Sequence, residues 1–459
     1  MAWTKQQHSI LWIVSGTSFM GTFLISSINI ALPAIEKTFS LDAIMLSWII
    51  TSFLLATGMF LLPVGKWGDI WGHGKLFEIG LLFFTVSSIW CVIAPSGITL
   101  IVGRFLQGVG LAFSNTTGQA LLVASFSSRN RGKVLGFTVA AVYLGLALGP
   151  FIGGILTQQM GWRSLFYIAV VLGIIFSIIS FTYIEKDMIS PHINKKIDNK
   201  GTFVFMLGLV ALVYGASIIP AALGWTLMGG GITGLIVFWF IENRSINPML
   251  ETALFTRNKL FAYSNLAALI NYTATFAIVF FLSLYLQKIQ HLSPQNAGAI
   301  IISQPIMMAL FSPIVGTMSD KIQPRYFATA GMSMCTIGLS ALAFLSPETP
   351  IGIIIVILVW EGIGFALFSS PNMSTIMSSV DKSCYGQASG LASSMRVIGQ
   401  IVSMAIVTIF FAFHFEDQSI RTLSQTTFMK AMKWGFLTFA FINLFGIYFS
   451  FTRGNIDRE

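Results

Sequence analysis

The chain has 459 residues, of which 9% are charged and 55% hydrophobic, with 41 phenylalanines and a formal net charge of +9. Soluble globular proteins carry about 25% charged residues, so this composition excludes a water-soluble fold, a disordered chain, a disulfide scaffold and a nucleic-acid module. The positive balance is instead the bias that loops on one side of a membrane acquire.

A helix needs about 20 apolar residues to cross a bilayer. Runs of that kind fall at roughly 9–34, 44–65, 76–95, 98–126, 133–157, 163–184, 201–220, 223–241, 260–287, 297–318, 326–346, 350–377, 386–413 and 429–452. They predict fourteen spans joined by short loops, with no room for a sizeable soluble domain. The first run is too long for a signal-peptide core and reads as a retained span. The even count places both termini on one side. Of the 26 Lys and Arg residues, eighteen then lie on that side, six on the other and two, Arg104 and Arg396, within spans. This asymmetry assigns both termini to the cytoplasm, in a multi-pass protein of the cytoplasmic (inner or plasma) membrane. Cys91, Cys335 and Cys384 are odd in number, far apart and set in or beside apolar runs. They read as small buried hydrophobes rather than as redox or metal groups.

Sliding the chain by 254 residues aligns Gln107-Gly108-Val109-Gly110-Leu111-Ala112 with Glu361-Gly362-Ile363-Gly364-Phe365-Ala366 without a gap. The same offset matches Gly132 with Gly386, Gly136 with Gly390 and Gly145 with Gly399. Two homologous halves of six spans account for this register. Spans seven and eight lie between them, after the polar segment from Glu185 to Lys200. The expected plan is 6 + 2 + 6: a half over residues 1–184, a cytoplasmic linker with two extra spans over 185–259, and a second half over 260–459.

Three segments carry motifs. Gly65-Lys66-Trp67-Gly68-Asp69-Ile70-Trp71-Gly72-His73-Gly74-Lys75 stands between spans two and three. Arg104-Phe105-Leu106-Gln107-Gly108-Val109-Gly110 lies in span four, and Gly145-Leu146-Ala147-Leu148-Gly149-Pro150-Phe151-Ile152-Gly153-Gly154 in span five. In the first, Gly65 and Gly72 permit a tight turn and close helix approach, and Asp69 can cap a helix or pair with Arg129, Arg131 or Lys133 in the next loop. The second half keeps a shortened copy, Gly316-Thr317-Met318-Ser319-Asp320-Lys321. In span five, Gly145, Gly149 and Gly153 line one helical face and let a neighbouring helix come close, while Pro150 invites a bend.

Together these segments resemble the signature loop, span-four arginine motif and span-five antiporter motif of the major facilitator superfamily. With fourteen spans, Asn29-Ile30-Ala31-Leu32-Pro33, Tyr285-Leu286-Gln287 and Ser389-Gly390 near Arg396 and Gly399, the chain is most similar to the 14-span drug/proton antiporter branch, the multidrug-resistance type of efflux transporter. The resemblance implies an all-α polytopic major facilitator fold and export of amphipathic, drug-like small molecules by proton antiport through alternating access. It also implies a conformational latch at Gly65, Asp69, Gly72, Arg131 and Asp320, and a gate at Gly145, Gly149, Pro150 and Gly153 that separates antiport from leak. Topology-satisfying charges and ordinary small-residue packing account for the same residues without those roles.

Ionisable groups inside a membrane cost about 2.5–3.5 kcal/mol on insertion scales and mark function. Three qualify and form the expected proton-coupling set: Arg104, Glu361 and Arg396. Glu361 lies near mid-membrane and could carry the coupling proton, with Arg104 tuning it, or attract a cationic substrate; a fixed ion pair with Arg396 or Arg104 is the structural alternative. Relatives place an aspartate five residues before the asparagine of the Asn-x-Ala-Leu-Pro motif, where this chain has Leu24. Coupling therefore rests on Glu361, or the substrate is not a typical cationic drug, or transport is not proton-coupled.

Polar and aromatic residues in apolar spans outline a substrate path: Asn29, Asn115, Gln119, Asn265, Asn271, Tyr272, Trp360 and Asn372, with Ser26, Ser27, Gln304, Gln400 and Tyr143 nearby. Helix–helix hydrogen bonding explains each one equally well. No metal-ligand spacing, nucleotide loop or nucleophile arrangement is present, so neither an enzyme nor a cofactor is expected. The partners expected are a small-molecule substrate, protons and the lipid bilayer, with no nucleic acid, for a monomer. An importer, a flippase for a lipid-like substrate, a metabolite or siderophore transporter and a non-transporting receptor or scaffold are the alternatives.

Overall fold

The computed structural model describes residues 3–126, 128–184, 198–245, 248–250, 252–319, 321–380, 385–415 and 424–455; the side chains of 128–133, 135, 385, 386 and 415 lie outside that description. Among the described residues, fourteen helices are long and apolar enough to cross a membrane. They are Lys5–Phe39, Ala43–Trp71, His73–Ile93, Gly97–Ser125, Ser128–Met160, Ser164–Tyr183, Asn199–Ser217 and Ala222–Arg244, then Lys259–Ile289, Pro294–Ser319, Pro324–Ala343, Ile351–Ser378, Tyr385–Phe415 and Gln425–Thr452. They are numbered here as spans one to fourteen. Span nine ends in a π-helical turn, Tyr285–Ile289.

Several helices outrun their apolar segments, because hydropathy marks the depth of hydrocarbon and not the end of the hydrogen-bond ladder. Span one begins at a capping box, in which Gln7 N–H donates to Thr4 Oγ1 at 3.2 Å and Thr4 N–H to Gln7 Oε1 at 3.0 Å. It runs on to Phe39, so Glu36 becomes a helical, fully buried residue instead of a loop charge. Span four starts with a second box at Ser96 and Thr99. The segment expected as a loop after span two is helical through Trp71 and again from His73, and the connection is Gly72 alone. Gly72 has φ +89°, a conformation that only glycine adopts without strain. At Gly65 a Cβ would meet nothing nearer than Thr116 Cγ2 at 3.6 Å. The turn and the close approach expected of both glycines therefore belong to Gly72 and its neighbour Gly68, where a Cβ would fall 2.4 Å from His73 Nδ1.

The two halves repeat the same crossings. Gly108 of span four packs on the Phe53 carbonyl of span two, and Gly362 of span twelve on the Gln304 carbonyl of span ten. Gly110 crosses span three at Gly80 and Phe84; Gly364 crosses span eleven at Gly331 and Cys335. Gly145 abuts the Phe19 carbonyl of span one, and Gly399 the Leu269 carbonyl of span nine. All three pairs obey the 254-residue offset, so the sequence repeat is a repeat of helix contacts. The Ser283 hydroxyl donates to the Asn29 carbonyl, a pair that is itself 254 residues apart. Equivalent residues that touch must lie beside the pseudo-two-fold axis, which places spans one and nine at the centre.

The arrangement is 6 + 2 + 6. Spans seven and eight pack on each other, and span seven also lies against spans two and thirteen, bridging the two halves on that flank. On the opposite flank span five meets span ten directly: a Cβ on Gly298 would fall 2.1 Å from the Pro150 carbonyl oxygen and one on Gly154 2.5 Å from that of Pro294.

Candidate functional site

Among the described residues, the seam between the halves is closed toward the face opposite the termini. There Lys288 pairs with the buried Glu36, Gln287 Nε2 donates to the Ile30 carbonyl at 2.9 Å, and Ser47 and Thr408 hydroxyls lie 3.0 Å apart. At mid-depth the Tyr143 hydroxyl meets Ser369 Oγ at 3.1 Å, and closer to the termini Ser389 reaches Gln119 at 3.4 Å. Glu36 and Lys288 escaped the sequence reading because both looked like loop charges; their signal was the spacing of Asn29 and Glu36, two helical turns apart on one face.

The three mid-membrane charges are kept apart. Arg104 is enclosed in the first half: Nε donates to the Ile49 carbonyl at 3.2 Å, one terminal nitrogen to Gln107, and the guanidinium lies 4.1 Å from the Phe53 ring centre. Gln107 in turn donates to Ser88 Oγ at 2.7 Å. Glu361 occupies the equivalent of Gln107 in the second half but has neither satisfying group, since Leu358 stands where Arg104 would and the facing helix offers Gly338. It is fully buried, and neither carboxyl oxygen meets a cation, a hydroxyl or an amide donor. The Cys335 thiol lies within hydrogen-bonding reach of it and of the Asn271 side chain. Among the described residues Glu361 makes no ion pair with Arg104 or Arg396. Arg396 is half-buried on span thirteen, next to Tyr272, which also neighbours Tyr143. The Tyr272 ring stands edge-on to Phe365 at 5.5 Å.

The remaining expected residues divide by location. Asn29 is buried, its amide donating to the Ile25 carbonyl at 2.9 Å and its side-chain oxygen unpartnered; Asn115 also keeps a buried, unpartnered oxygen. Asn372 donates to the Ser264 carbonyl at 3.0 Å and accepts from Arg453, which is 2% exposed; together they hold the end of span fourteen against spans nine and twelve. Asn265, next to Ser264, donates to the Phe261 carbonyl within its own helix. Trp360 is corrected: it shares a face with Ile353 and Val356, is 41% exposed, and donates to the Met334 carbonyl, so it stands on the outside of its helix pair. The reason is helical phase, since Glu361, one residue on, points inward to Gly338. The stripe Gly145, Gly149 and Gly153 faces span one, with a Cβ at each falling 2.3 Å from Thr22 Oγ1, 2.6 Å from Ser26 Cβ and 2.5 Å from Ser27 Cβ. Asp69 lies 3.2 Å from His73 Nε2 across the Gly72 turn. Asp320, Cys384 and the side chain of Arg131 lie outside the described residues.

A fourteen-span, two-fold repeated helical bundle with buried polar groups at mid-depth is the architecture of a multi-pass membrane transporter. The chain belongs to the Major Facilitator Superfamily, whose sequence profile matches residues 11–404. It is 31% identical over 411 residues to the riboflavin transporter RibZ of Clostridioides difficile (strain 630), covering 89% of each chain. It is 30% identical to the multidrug resistance protein Stp of Mycobacterium tuberculosis (strain ATCC 25618 / H37Rv), over 86% of this chain and 74% of Stp. It is 27% identical to the tetracenomycin C resistance and export protein of Streptomyces glaucescens, over 84% and 72% respectively. Solved structures with the same fold include an inward-facing bacterial homologue of the lysosomal transporter Spinster, with TM-score 0.66 and 14% identity over 98% of both chains.

Proposed function

We propose that this protein is a secondary active exporter of amphipathic small molecules, driven by proton antiport through alternating access, with both termini in the cytoplasm. The observation that carries the reading is Glu361. A carboxyl enclosed at mid-membrane without a cation, with a weakly bonding thiol as its polar neighbour, can take up or release a proton without breaking an ion pair. Arg104, held by Ile49, Gln107 and Phe53, sets the field of the first half and carries no mobile proton itself. Rocking of the halves about the axis beside Asn29 and Ser283 exposes the seam to each side in turn. Gly65, Asp69, Gly72, Arg131 and Asp320 latch the termini face, and the Gly145–Gly153 stripe with Pro150 lets span five slide on span one. The protein acts as a monomer in the bilayer.

A second reading of the cargo is favoured by the 31% identity that spans 89% of both this chain and a riboflavin transporter. On that reading the substrate is riboflavin or a similar metabolite, and Leu24, buried where relatives carry an acid, reflects a substrate that needs no anionic partner there.

The test is transport in proteoliposomes containing a pH-sensitive dye, with riboflavin and a panel of drug-like amphiphiles offered in turn. Substrate-evoked proton movement is expected from the wild-type chain and is lost in Glu361→Gln, which still folds and binds substrate. Silence with every compound would end the antiport reading, whereas proton movement with riboflavin alone selects the second cargo.

A further inference from the structure

Of the three charges at mid-depth, Arg104 and Glu361 are enclosed within their own halves, while Arg396 stands half-buried at the seam. Its guanidinium has no hydrogen-bond acceptor and no carboxylate among the described residues, although it can donate five hydrogen bonds. Gly399, one helical turn on along span thirteen, packs on Tyr272, and Tyr143 and Phe365 join Tyr272 in one cluster, so that spans nine, five and twelve contribute. Spans from both halves therefore converge here, and the Tyr143–Ser369 hydrogen bond crosses the seam at the same depth. Aromatic faces and edges take flat rings, and an unpaired guanidinium takes carboxylates, phenolates or the carbonyl edge of a heterocycle. A cation placed among these rings would meet an uncompensated positive charge.

We propose that Arg396 is a substrate-recognition residue, and that with Tyr143, Tyr272 and Phe365 it forms a site for planar aromatic solutes that are anionic or present an acceptor edge, and disfavours cationic ones. The inference rests on the reading of the seam as a small-molecule path and is independent of what energises transport.

Fluorescein and rhodamine 6G share one xanthene ring system and differ in charge, so they isolate the electrostatic part of recognition. Equilibrium binding of each to the purified full chain in nanodiscs, followed by fluorescence anisotropy without any gradient, provides the test. Wild type is expected to bind fluorescein about tenfold or more tightly than rhodamine 6G. Arg396→Gln removes that preference by weakening fluorescein, and Arg396→Lys restores part of it. Equal or tighter binding of rhodamine 6G to wild type, no saturable binding of fluorescein, or fluorescein affinity in Arg396→Gln within about twofold of wild type would each overturn the proposal. If Arg396→Gln does not fold, the wild-type ranking and the Arg396→Lys shift decide. A failed antiport reading shows instead as intact charge preference with no substrate-evoked proton movement.

Discussion

At the scale of single residues, burial turns isolated charges into commitments. Glu36 is fully buried and its partner Lys288 comes from the other half, so the pair belongs to one closed arrangement of the seam. Replacing Lys288 by Met leaves an uncompensated buried carboxylate and is expected to cost about 3 kcal/mol, whereas Glu36→Gln/Lys288→Met recovers most of that loss. A double-mutant cycle on thermal unfolding in detergent checks this, and strict additivity would refute the coupling. Gly72 is a second commitment. Gly72→Ala is expected to destabilise by about 1–2 kcal/mol because its φ lies in the left-handed region, while Gly65→Ala is tolerated. Equal melting shifts for the two variants would contradict the assignment of the turn to Gly72. Glu361 was legible from sequence as a lone acid in an apolar run; that its neighbours are a glycine, a thiol and an amide, with no cation, was not.

At the scale of elements, the close contact of spans one and five shows how a sequence stripe becomes an interface. Gly145, Gly149 and Gly153 allow backbone-to-backbone approach, and Thr22 and Ser26 use it to donate to the Val142 and Leu146 carbonyls, each at 3.1 Å. Without a hydrophobic drive between helices in lipid, packing and such bonds carry the association. Gly149→Val overpacks the contact and is expected to lower stability by about 1–3 kcal/mol. Gly136→Ala, on the same helix with nothing within 4 Å of an added Cβ, is expected to leave it unchanged or higher. Melting temperatures of the two purified variants decide between a packing stripe and a neutral one. The glycine periodicity was readable from the sequence, but its partner helix was not, because small-residue spacing names a face and not what meets it. Hydropathy likewise missed the helical stretches 66–71 and 35–39 beyond the apolar runs.

At the scale of the molecule, Lys288–Glu36, Gln287–Ile30 and Ser47–Thr408 join the halves at the face away from the termini. Cysteines at Ser47 and Thr408, whose hydroxyls lie 3.0 Å apart across the seam, are expected to form a disulfide that arrests transport until reductant is added. Transport in proteoliposomes before and after reduction checks this in a Cys384→Ser background, with the Cys384→Ser variant alone as control, since Cys91 and Cys335 are buried. Uninterrupted transport by the oxidised protein would show that the seam does not open there.

The sequence by itself determined the solvent, the number of spans and the two-fold repeat, because each depends on local composition or on a fixed offset: 9% charge in 459 residues and glycines 254 apart leave few alternatives. It also singled out Arg104, Glu361 and Arg396 by the cost of placing charge in hydrocarbon. Only the tertiary structure decided that these three do not pair, that Glu36 belongs with Lys288, that Asn372 serves Arg453 and that Trp360 faces outward. Those outcomes depend on helical phase and on which helices meet, and both are fixed by packing between segments hundreds of residues apart.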